Sequence, residues 1–150
     1  MTQPMSEPHD RFPSEAGTFF IDGPAGRLEV AVDLPEPDCA VDAVAIICHP
    51  LPVEGGTMHN KVVTITERAL RELGLKTVRF NFRGVGESDG EFDDGRGETL
   101  DLLAVAEWVH KVLPDHALWL AGFSFGAYIS LLGARHLPVK QMISIAPPAG

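Results

Sequence analysis

The sequence is poor in positive charge and in cysteine. Twelve Lys and Arg residues stand against 21 Asp and Glu, which gives a formal charge of −9. The basic residues are scattered singly, so the sequence lacks the basic patch with which proteins contact nucleic acids, and anionic membrane surfaces are disfavoured as partners. Cys39 and Cys48 are too few for a disulfide framework or a zinc site. We therefore expect no metal, no cofactor and no nucleic-acid partner.

Long apolar runs are also missing. The first residues, Met1–Pro8, contain no apolar signal core, and no apolar stretch approaches membrane-spanning length. We therefore expect a cytoplasmic protein without a membrane partner. Residues 1–16 are polar and proline-bearing, which predicts a loose N-terminal segment, and the length predicts one domain over residues 17–150.

From residue 41 onward, segments with the pattern of buried strands alternate with segments of helical spacing. The predicted strands are Thr18–Ile21, Arg27–Leu34, Val41–Cys48, Lys76–Phe82, the run that begins at Ala117, and Gln141–Ala146. The predicted helices are Lys61–Leu73, Glu98–Leu113 and a third that ends near Arg135. Right-handed crossovers then require a mostly parallel sheet with helices on both faces, and turn residues between the first two strands predict an antiparallel pair at its edge.

The apolar periodicity of the first two helices predicts which sides face the sheet. In the first helix the inward residues are predicted to be Val62, Ile65, Ala69, Leu70 and Leu73. In the second helix they are predicted to be Leu102, Val105, Ala106, Val109 and Leu113.

The most informative stretch is Gly122-Phe123-Ser124-Phe125-Gly126. It follows an apolar strand and precedes an amphipathic helix, which is the context of a nucleophile elbow. In such a turn the serine backbone is strained and the positions two residues to either side have no room for a side chain. The turn lifts the Ser124 hydroxyl above the sheet edge and places it at a helix N-terminus, where negative charge is stabilised.

Two further loops are predicted at the same edge, because ligands bind such sheets beyond the carboxyl ends of the strands. They begin with His49-Pro50-Leu51-Pro52-Val53-Glu54-Gly55-Gly56 and with Asn81-Phe82-Arg83-Gly84-Val85-Gly86-Glu87-Ser88-Asp89-Gly90. With the serine turn, these segments, in this order after successive strands, resemble the α/β-hydrolase superfamily. The resemblance is greatest to its small, lidless bacterial members related to dienelactone hydrolases and S15/S33-type serine hydrolases, and it extends over most of the chain from Thr18.

The resemblance implies an α/β-hydrolase fold and roles for three residues. Ser124 would be the nucleophile, and the backbone N–H groups of Leu51 and Phe125 would form the oxyanion hole. In this family the acid and then the histidine follow the serine along the chain. Here no Asp or Glu follows Ser124, and the two last strands of the family are not present.

The one histidine after the serine is His136. Twelve residues of helix would carry it about 18 Å from Ser124, whereas a base must come within about 3 Å of the hydroxyl. One interpretation is that the chain is the first two thirds of a longer hydrolase. The other is a truncated protein without turnover. In either case the last strand would be an open edge, at which we expect aggregation or self-association.

Other residues of these loops have a chemical and a structural interpretation. His49 and His59 could replace the missing base or could brace their loops by hydrogen bonds. Arg83 could position a substrate carboxylate or form a bracing salt bridge. A Cys48–His49 dyad is disfavoured because Cys48 belongs to the strand interior.

Two ligand motifs are matched poorly. Gly84-x-Gly86 resembles a dinucleotide-binding turn, but Asp89 stands at the third glycine and the surrounding acidic residues would repel a pyrophosphate. The acidic stretch from Asp89 resembles a calcium loop, but its glycine is one place late and the closing Glu is missing. A solvated acidic loop is the preferred interpretation.

The leading functional hypothesis is hydrolysis of a carboxylic ester or thioester, a small-molecule substrate, through an acyl-enzyme at Ser124. The alternative is a non-catalytic binding or interaction module that keeps the serine turn without a triad. A nucleotide-binding oxidoreductase is the remote third hypothesis.

Overall fold

The computed structural model describes residues 10–147, which form one six-stranded sheet with three α-helices. The strands are β1 (Gly17–Gly23), β2 (Gly26–Asp33), β3 (Ala43–Cys48), β4 (Lys76–Phe80), β5 (Ala117–Phe123) and β6 (Val139–Ile145). The helices are α1 (Lys61–Glu72), α2 (Arg96–Val112) and α3 (Phe125–Ala134). Each predicted element is present with its bounds moved by a few residues, and β4 ends at Phe80, two residues earlier than predicted.

The order of the strands is β1-β2-β4-β3-β5-β6. β1 and β2 form the predicted antiparallel pair at the edge, β2 is also antiparallel to β4, and the pairs β4–β3, β3–β5 and β5–β6 are parallel. The fold class expected from the sequence, an α/β-hydrolase fold with a mostly parallel sheet, is therefore confirmed. The carboxyl ends of β3, β4 and β5 meet at one edge, and the three predicted loops follow them.

Helices cover both faces of the sheet. All six residues of β3 are buried, and alternate members point to opposite faces: Val44 and Ile46 into a larger core, Ala45 and Ile47 into a smaller one. The larger core contains α2 and α3, and the smaller core contains α1. The predicted inward face of α2 is confirmed, with Leu113 partly buried beside four buried residues.

The predicted inward face of α1 is confirmed at Leu70 but wrong at Ile65, Ala69 and Leu73, which are exposed. The helix buries Val63, Glu67 and Leu70, whereas Ile65 is 60% exposed and Leu73 is 63% exposed. The buried carboxylate of Glu67 accepts a hydrogen bond from the Thr77 hydroxyl at 2.7 Å and from two nitrogens of the Arg71 guanidinium. These bonds to the sheet and along the helix fix its rotation with a charged residue inward, since a buried carboxylate is tolerated when it is fully hydrogen-bonded.

Three other expectations concern the ends of the described chain and its helices. Residues 1–9 of the predicted loose segment lie outside the described residues, and Phe12 is buried with its ring stacked 5.9 Å from that of Trp108. Within residues 10–147, β6 pairs with β5 on one side only, so self-association through this strand stays a prediction. None of the helices in this range is long and apolar enough to cross a membrane.

The start of α1 depends on one side chain. The side-chain Oδ1 atom of Asn60 accepts from the N–H groups of Val62 at 2.8 Å and Val63 at 3.3 Å. We expect Asn60→Ala to lower the free energy of unfolding by about 1 kcal/mol, because two N–H groups lose their partner. Asn60→Asp should retain most of the stability, and Lys61→Ala, at an exposed neighbour, should change it by less than about 0.5 kcal/mol. Chemical denaturation measures all three, and no loss in Asn60→Ala would contradict the cap.

Candidate active site

Ser124 is the single residue between β5 and α3, where the chain makes a sharp turn. Its backbone has φ 56° and ψ −119°, a region that residues with a side chain rarely adopt. Its N–H donates to the Ile145 carbonyl at the end of β6, at 2.8 Å. The half-buried Ser124 hydroxyl has no hydrogen bond to any residue between 10 and 147. The turn of residues 122–126, called the Ser124 turn below, therefore holds a free hydroxyl in a strained but fixed position.

The two glycines of the Ser124 turn are required by contact between backbones. A Cβ at Gly126 would lie 2.2 Å from the Cys48 carbonyl oxygen and 2.6 Å from that of His49. A Cβ at Gly122 would lie 2.4 Å from the Gly126 carbonyl oxygen. These distances are far below any real carbon–oxygen contact, so only glycine fits. The turn and the end of β3 are thus pressed directly together.

The loop after β3 lies beside the Ser124 turn for the same reason. Cys48, the last residue of β3, is in register with Gly122 of β5. Leu51 follows three residues later, and its carbonyl accepts from the N–H groups of Glu54 and Gly56, which turns the loop back on itself. The N–H groups of Leu51 and Phe125 donate no hydrogen bond to any residue in the described part of the chain. Phe125 also begins α3, where the helix dipole favours negative charge.

His49 is completely buried and both of its ring nitrogens have partners. Nε2 lies 3.1 Å from the Phe82 nitrogen and Nδ1 lies 2.7 Å from the Pro50 carbonyl oxygen. A backbone N–H can only donate, so Nε2 accepts and the proton is on Nδ1, which donates to Pro50. Burial lowers the pKa of His49 to about 4, so the ring is neutral at pH 7. These contacts are those of a brace between the loops that follow β3 and β4.

Arg83 is also held by the protein. Its guanidinium contacts the buried Asp101 carboxylate, with Nη2–Oδ1 at 2.9 Å, and Nη2 also donates to the Gly97 carbonyl at 2.9 Å. The Arg83 N–H donates to the same carboxylate. The hydrogen bonds from Arg83 to Asp101 raise the pKa of the guanidinium. Arg83 therefore ties the loop after β4 to α2, which is the bracing geometry of the two that the sequence leaves open.

The remaining sequence candidates do not hydrogen-bond to the Ser124 hydroxyl, and one of them, Cys48, is not ionised. Burial raises the pKa of the Cys48 thiol to about 12, so a Cys48–His49 dyad has no thiolate to use. His59 and His136 are exposed, and neither bonds to Ser124. In the loop after β4, the Gly84 N–H donates to the Asp89 carbonyl at 3.0 Å, so it is not free to cradle a phosphate. Within residues 10–147 no group of three His, Cys, Asp or Glu residues is placed to hold a metal.

Sequence reasoning missed the polar side chains that hold the loops. Buried Asn81 donates to Glu29 at 2.9 Å and accepts from the Met58 N–H at 2.8 Å, which joins β2 to the two site loops. Buried Glu98 accepts from the N–H groups of Asp93 and Gly95, both at 2.8 Å. A signal existed for Glu98, because it is the third residue of α2 and a carboxylate there caps a helix. No local signal exists for Asn81, whose partners are distant in sequence.

Known proteins resemble this chain in sequence and in structure. Residues 46–149 match the family model for the alpha/beta hydrolase fold. The structure of XC6422 from Xanthomonas campestris, an a/b serine hydrolase without lid, is 63% identical to this chain, with a TM-score of 0.90. The match covers 93% of this chain and 65% of the XC6422 chain. An alpha-beta serine hydrolase homologue from Coxiella burnetii is 53% identical, with a TM-score of 0.88. That match covers 91% of this chain and 65% of the Coxiella chain.

A curated relative gives the same picture. The uncharacterized protein RP471 of Rickettsia prowazekii is 36% identical over 133 residues, which are 87% of this chain and 55% of that protein. The chain therefore spans between half and two thirds of the length of these relatives.

The burial of His49 makes a prediction for the pH dependence of stability. In the unfolded chain a histidine titrates near 6.5, whereas in the folded protein the pKa of His49 is about 4. Between these values the unfolded state binds more protons, so this contribution is complete above pH 6.5 and is lost as the pH falls towards 4. For a shift from 6.5 to about 4, the total is about 3 kcal/mol.

The measurement compares wild type with His49→Gln by chemical denaturation from pH 7 to pH 4. Because the carboxylates titrate in both proteins, they cancel in the difference of unfolding free energies. We expect the advantage of wild type over the variant to shrink as the pH falls. A difference that is independent of pH would show that His49 titrates equally in both states.

Proposed function

Because this chain belongs to the alpha/beta hydrolase family, we propose that the protein is a serine hydrolase that cleaves a carboxylic ester or thioester through an acyl-enzyme at Ser124. The observation that carries the proposal is the free hydroxyl of Ser124 in a strained strand-to-helix turn whose glycines admit no side chain. A nucleophile elbow is expected to have this strand, strained serine and helix, so the turn supports Ser124 as the nucleophile. The likeness to serine hydrolases from Xanthomonas campestris and Coxiella burnetii supports it.

The proposed reaction begins with attack of Ser124 Oγ on the acyl carbonyl carbon. A general base takes the hydroxyl proton, and the carbonyl oxygen becomes an oxyanion that accepts from the N–H groups of Leu51 and Phe125. The tetrahedral intermediate then expels the alcohol or thiol, which receives the proton, and leaves the acyl group on Ser124. Water attacks this ester in the same way and releases the carboxylic acid.

No residue between 10 and 147 is placed to act as the general base for Ser124. The Ser124 hydroxyl has no hydrogen bond within residues 10–147, and both nitrogens of His49 are already bonded. The proposal therefore needs a histidine, oriented by an acid, from outside these residues. His49 and Arg83 contribute by fixing the loops on which Leu51 and the neighbouring backbone stand.

The setting of the reaction belongs to the same proposal. We place the protein in the cytoplasm, because Cys39 and Cys48 are both free thiols and a reducing compartment keeps them so. The substrate is a small molecule, since the formal charge of −9 disfavours nucleic acid. XC6422 is a hydrolase without a lid, and a site without a lid is open to such a molecule from solvent.

One observation favours a second candidate, a non-catalytic binding or interaction module. The described residues supply no general base for the Ser124 hydroxyl. Without one, this hydroxyl could only form a hydrogen bond to a ligand oxygen. Reaction with a fluorophosphonate separates the two candidates, because this probe forms a bond only with an activated serine.

We expect a fluorophosphonate to label the full-length protein at Ser124, and Ser124→Ala to abolish both the labelling and ester hydrolysis. Ser144 provides the matched control, because it is an exposed serine of β6 in register with Gly122 of β5. Ser144→Ala should be labelled like wild type. Mass spectrometry of the labelled peptide gives the site. Labelling at another serine would overturn the assignment, and no labelling would favour the binding module.

The oxyanion hole can be tested by removing one N–H group without moving the backbone. Leu51 has φ −56°, which is close to the value that proline imposes. We expect Leu51→Pro to lower kcat for ester hydrolysis by about 10²–10³-fold, because one donor to the oxyanion is lost.

Leu51→Ala removes the side chain but keeps the N–H, and it is the control for packing. It should retain kcat within about tenfold, since the oxyanion donor is intact. Equal losses in the two variants would show that Leu51 acts through its side chain rather than through its N–H.

A further inference from the structure

The first turn of α3 presents an exposed aromatic ring beside Ser124. Tyr128 is 45% exposed within the described part of the chain. Its backbone N–H donates to the Ser124 carbonyl at 3.2 Å, so the two residues are one helical turn, about 5.4 Å, apart along the axis. Side chains of a helix lean towards its N-terminus. The Tyr128 ring therefore extends towards the end of α3 at which Ser124 lies.

Contacts around Gly95 place this ring at the edge of the sheet that carries Ser124. Gly95 ends the loop after β4 and directly precedes α2. A Cβ at Gly95 would lie 3.6 Å from Tyr128 Cε2 and 3.9 Å from Phe125 Cε1. The Tyr128 ring thus lies where α2 and α3 both begin, and both helices begin at this edge.

Phe92 adds a second ring at the same place. It belongs to the loop after β4, three residues before Gly95, and it is partly buried. Its ring centroid lies 5.9 Å from that of Phe125, which follows Ser124 directly. The accessible parts of Phe92 and Tyr128, called the aromatic shelf below, therefore form an apolar surface on one side of the Ser124 turn.

The aromatic shelf suits an aromatic group of a substrate. Rings pack on rings in offset or edge-to-face arrangements, which stabilise a complex beyond the burial of apolar area. Within residues 10–147 the Tyr128 ring forms no aromatic pair and its hydroxyl forms no hydrogen bond. Because only one helical turn separates Tyr128 from Ser124, a ring one or two bonds from the ester group spans the distance.

We propose that the aromatic shelf selects esters or thioesters that carry an aromatic ring close to the scissile carbonyl, with Tyr128 as the specificity-determining residue. This inference rests on the proposed function, since it requires Ser124 to be the nucleophile. The ring belongs either to the acyl group or to the leaving group, because both are bonded to the carbon that Ser124 would attack. The experiment separates these two positions.

The test compares methyl phenylacetate with benzyl acetate, two isomers that carry the ring on the acyl side and on the alcohol side. Methyl acetate is the reference without a ring. The full-length protein is assayed by the acid released, and each kcat/KM is divided by the rate constant for alkaline hydrolysis of the same ester. We expect the corrected value for one isomer to exceed that for methyl acetate by about tenfold or more. The favoured isomer identifies the side on which the ring binds.

Variants at position 128 test the ring itself. Tyr128→Ala removes the ring, and we expect it to lower the preference for the favoured isomer over methyl acetate by about tenfold. Tyr128→Phe keeps the ring and should retain the preference, whereas a loss like that of Tyr128→Ala would assign the contact to the hydroxyl and overturn the proposal. Leu131→Ala is the matched control, because Leu131 is 50% exposed on the same helix but about 10 Å from Ser124 along its axis. It should leave the preference unchanged.

The outcomes distinguish this inference from the proposed function. If wild type hydrolyses none of the esters and a fluorophosphonate leaves Ser124 unlabelled, both are overturned. If Ser124 is labelled and esters are hydrolysed without a preference for either isomer, only the aromatic shelf is overturned, and this comparison needs no variant. Equal losses for all three esters in Tyr128→Ala would also overturn it, since they would show that Tyr128 packs against the rest of the full-length protein rather than against a substrate.

Discussion

The candidate site depends on the contact between two backbones, that of the Ser124 turn and that of the end of β3. Gly126 lies so close to the Cys48 and His49 carbonyls that even a methyl group is excluded. This contact determines where α3 begins and therefore where the Phe125 N–H is. It also fixes the start of the loop that contains Leu51. The relative positions of the serine and the two N–H groups thus follow from backbone packing, which side-chain motion does not disturb.

Buried polar side chains extend this order to the loops. A loop at a sheet edge leaves backbone N–H and C=O groups without ladder partners, and these must be satisfied from elsewhere. His49 bonds to the Phe82 N–H, and Asp101 joins Arg83 to α2. The residues that look most chemical in the sequence, a histidine and an arginine after buried strands, are therefore engaged in holding the backbone. Replacing them would move the site without touching the reacting atoms.

The elements, the parallel sheet and the Ser124 turn could be predicted from the sequence because each has a local pattern: apolar runs, helical spacing, and glycines beside a serine. The rotation of α1 could not. Apolar periodicity placed Ile65 and Leu73 inward, but the helix turns Glu67 to the sheet, where Thr77 and Arg71 satisfy its carboxylate. The Glu67–Thr77 hydrogen bond joins a helix to the strand that follows it, so the spacing of apolar residues within α1 does not reveal it. The same holds for His49, whose bracing role depends on the Phe82 N–H, 33 residues further along the chain.

Hydrogen-bond accounting separates the polar groups that support the fold from those left for a ligand. His49 has a partner for each ring nitrogen, so no proton can be moved without breaking a structural bond. The Ser124 hydroxyl and the N–H groups of Leu51 and Phe125 have none among residues 10–147. Donors held rigid and unpaired beside a nucleophile stabilise an oxyanion at no cost of reorganisation, whereas water would first have to turn. The unpaired state of these three groups is therefore what the proposed acyl transfer would require of this edge of the sheet, whereas almost every buried side-chain polar atom of residues 10–147 has a partner.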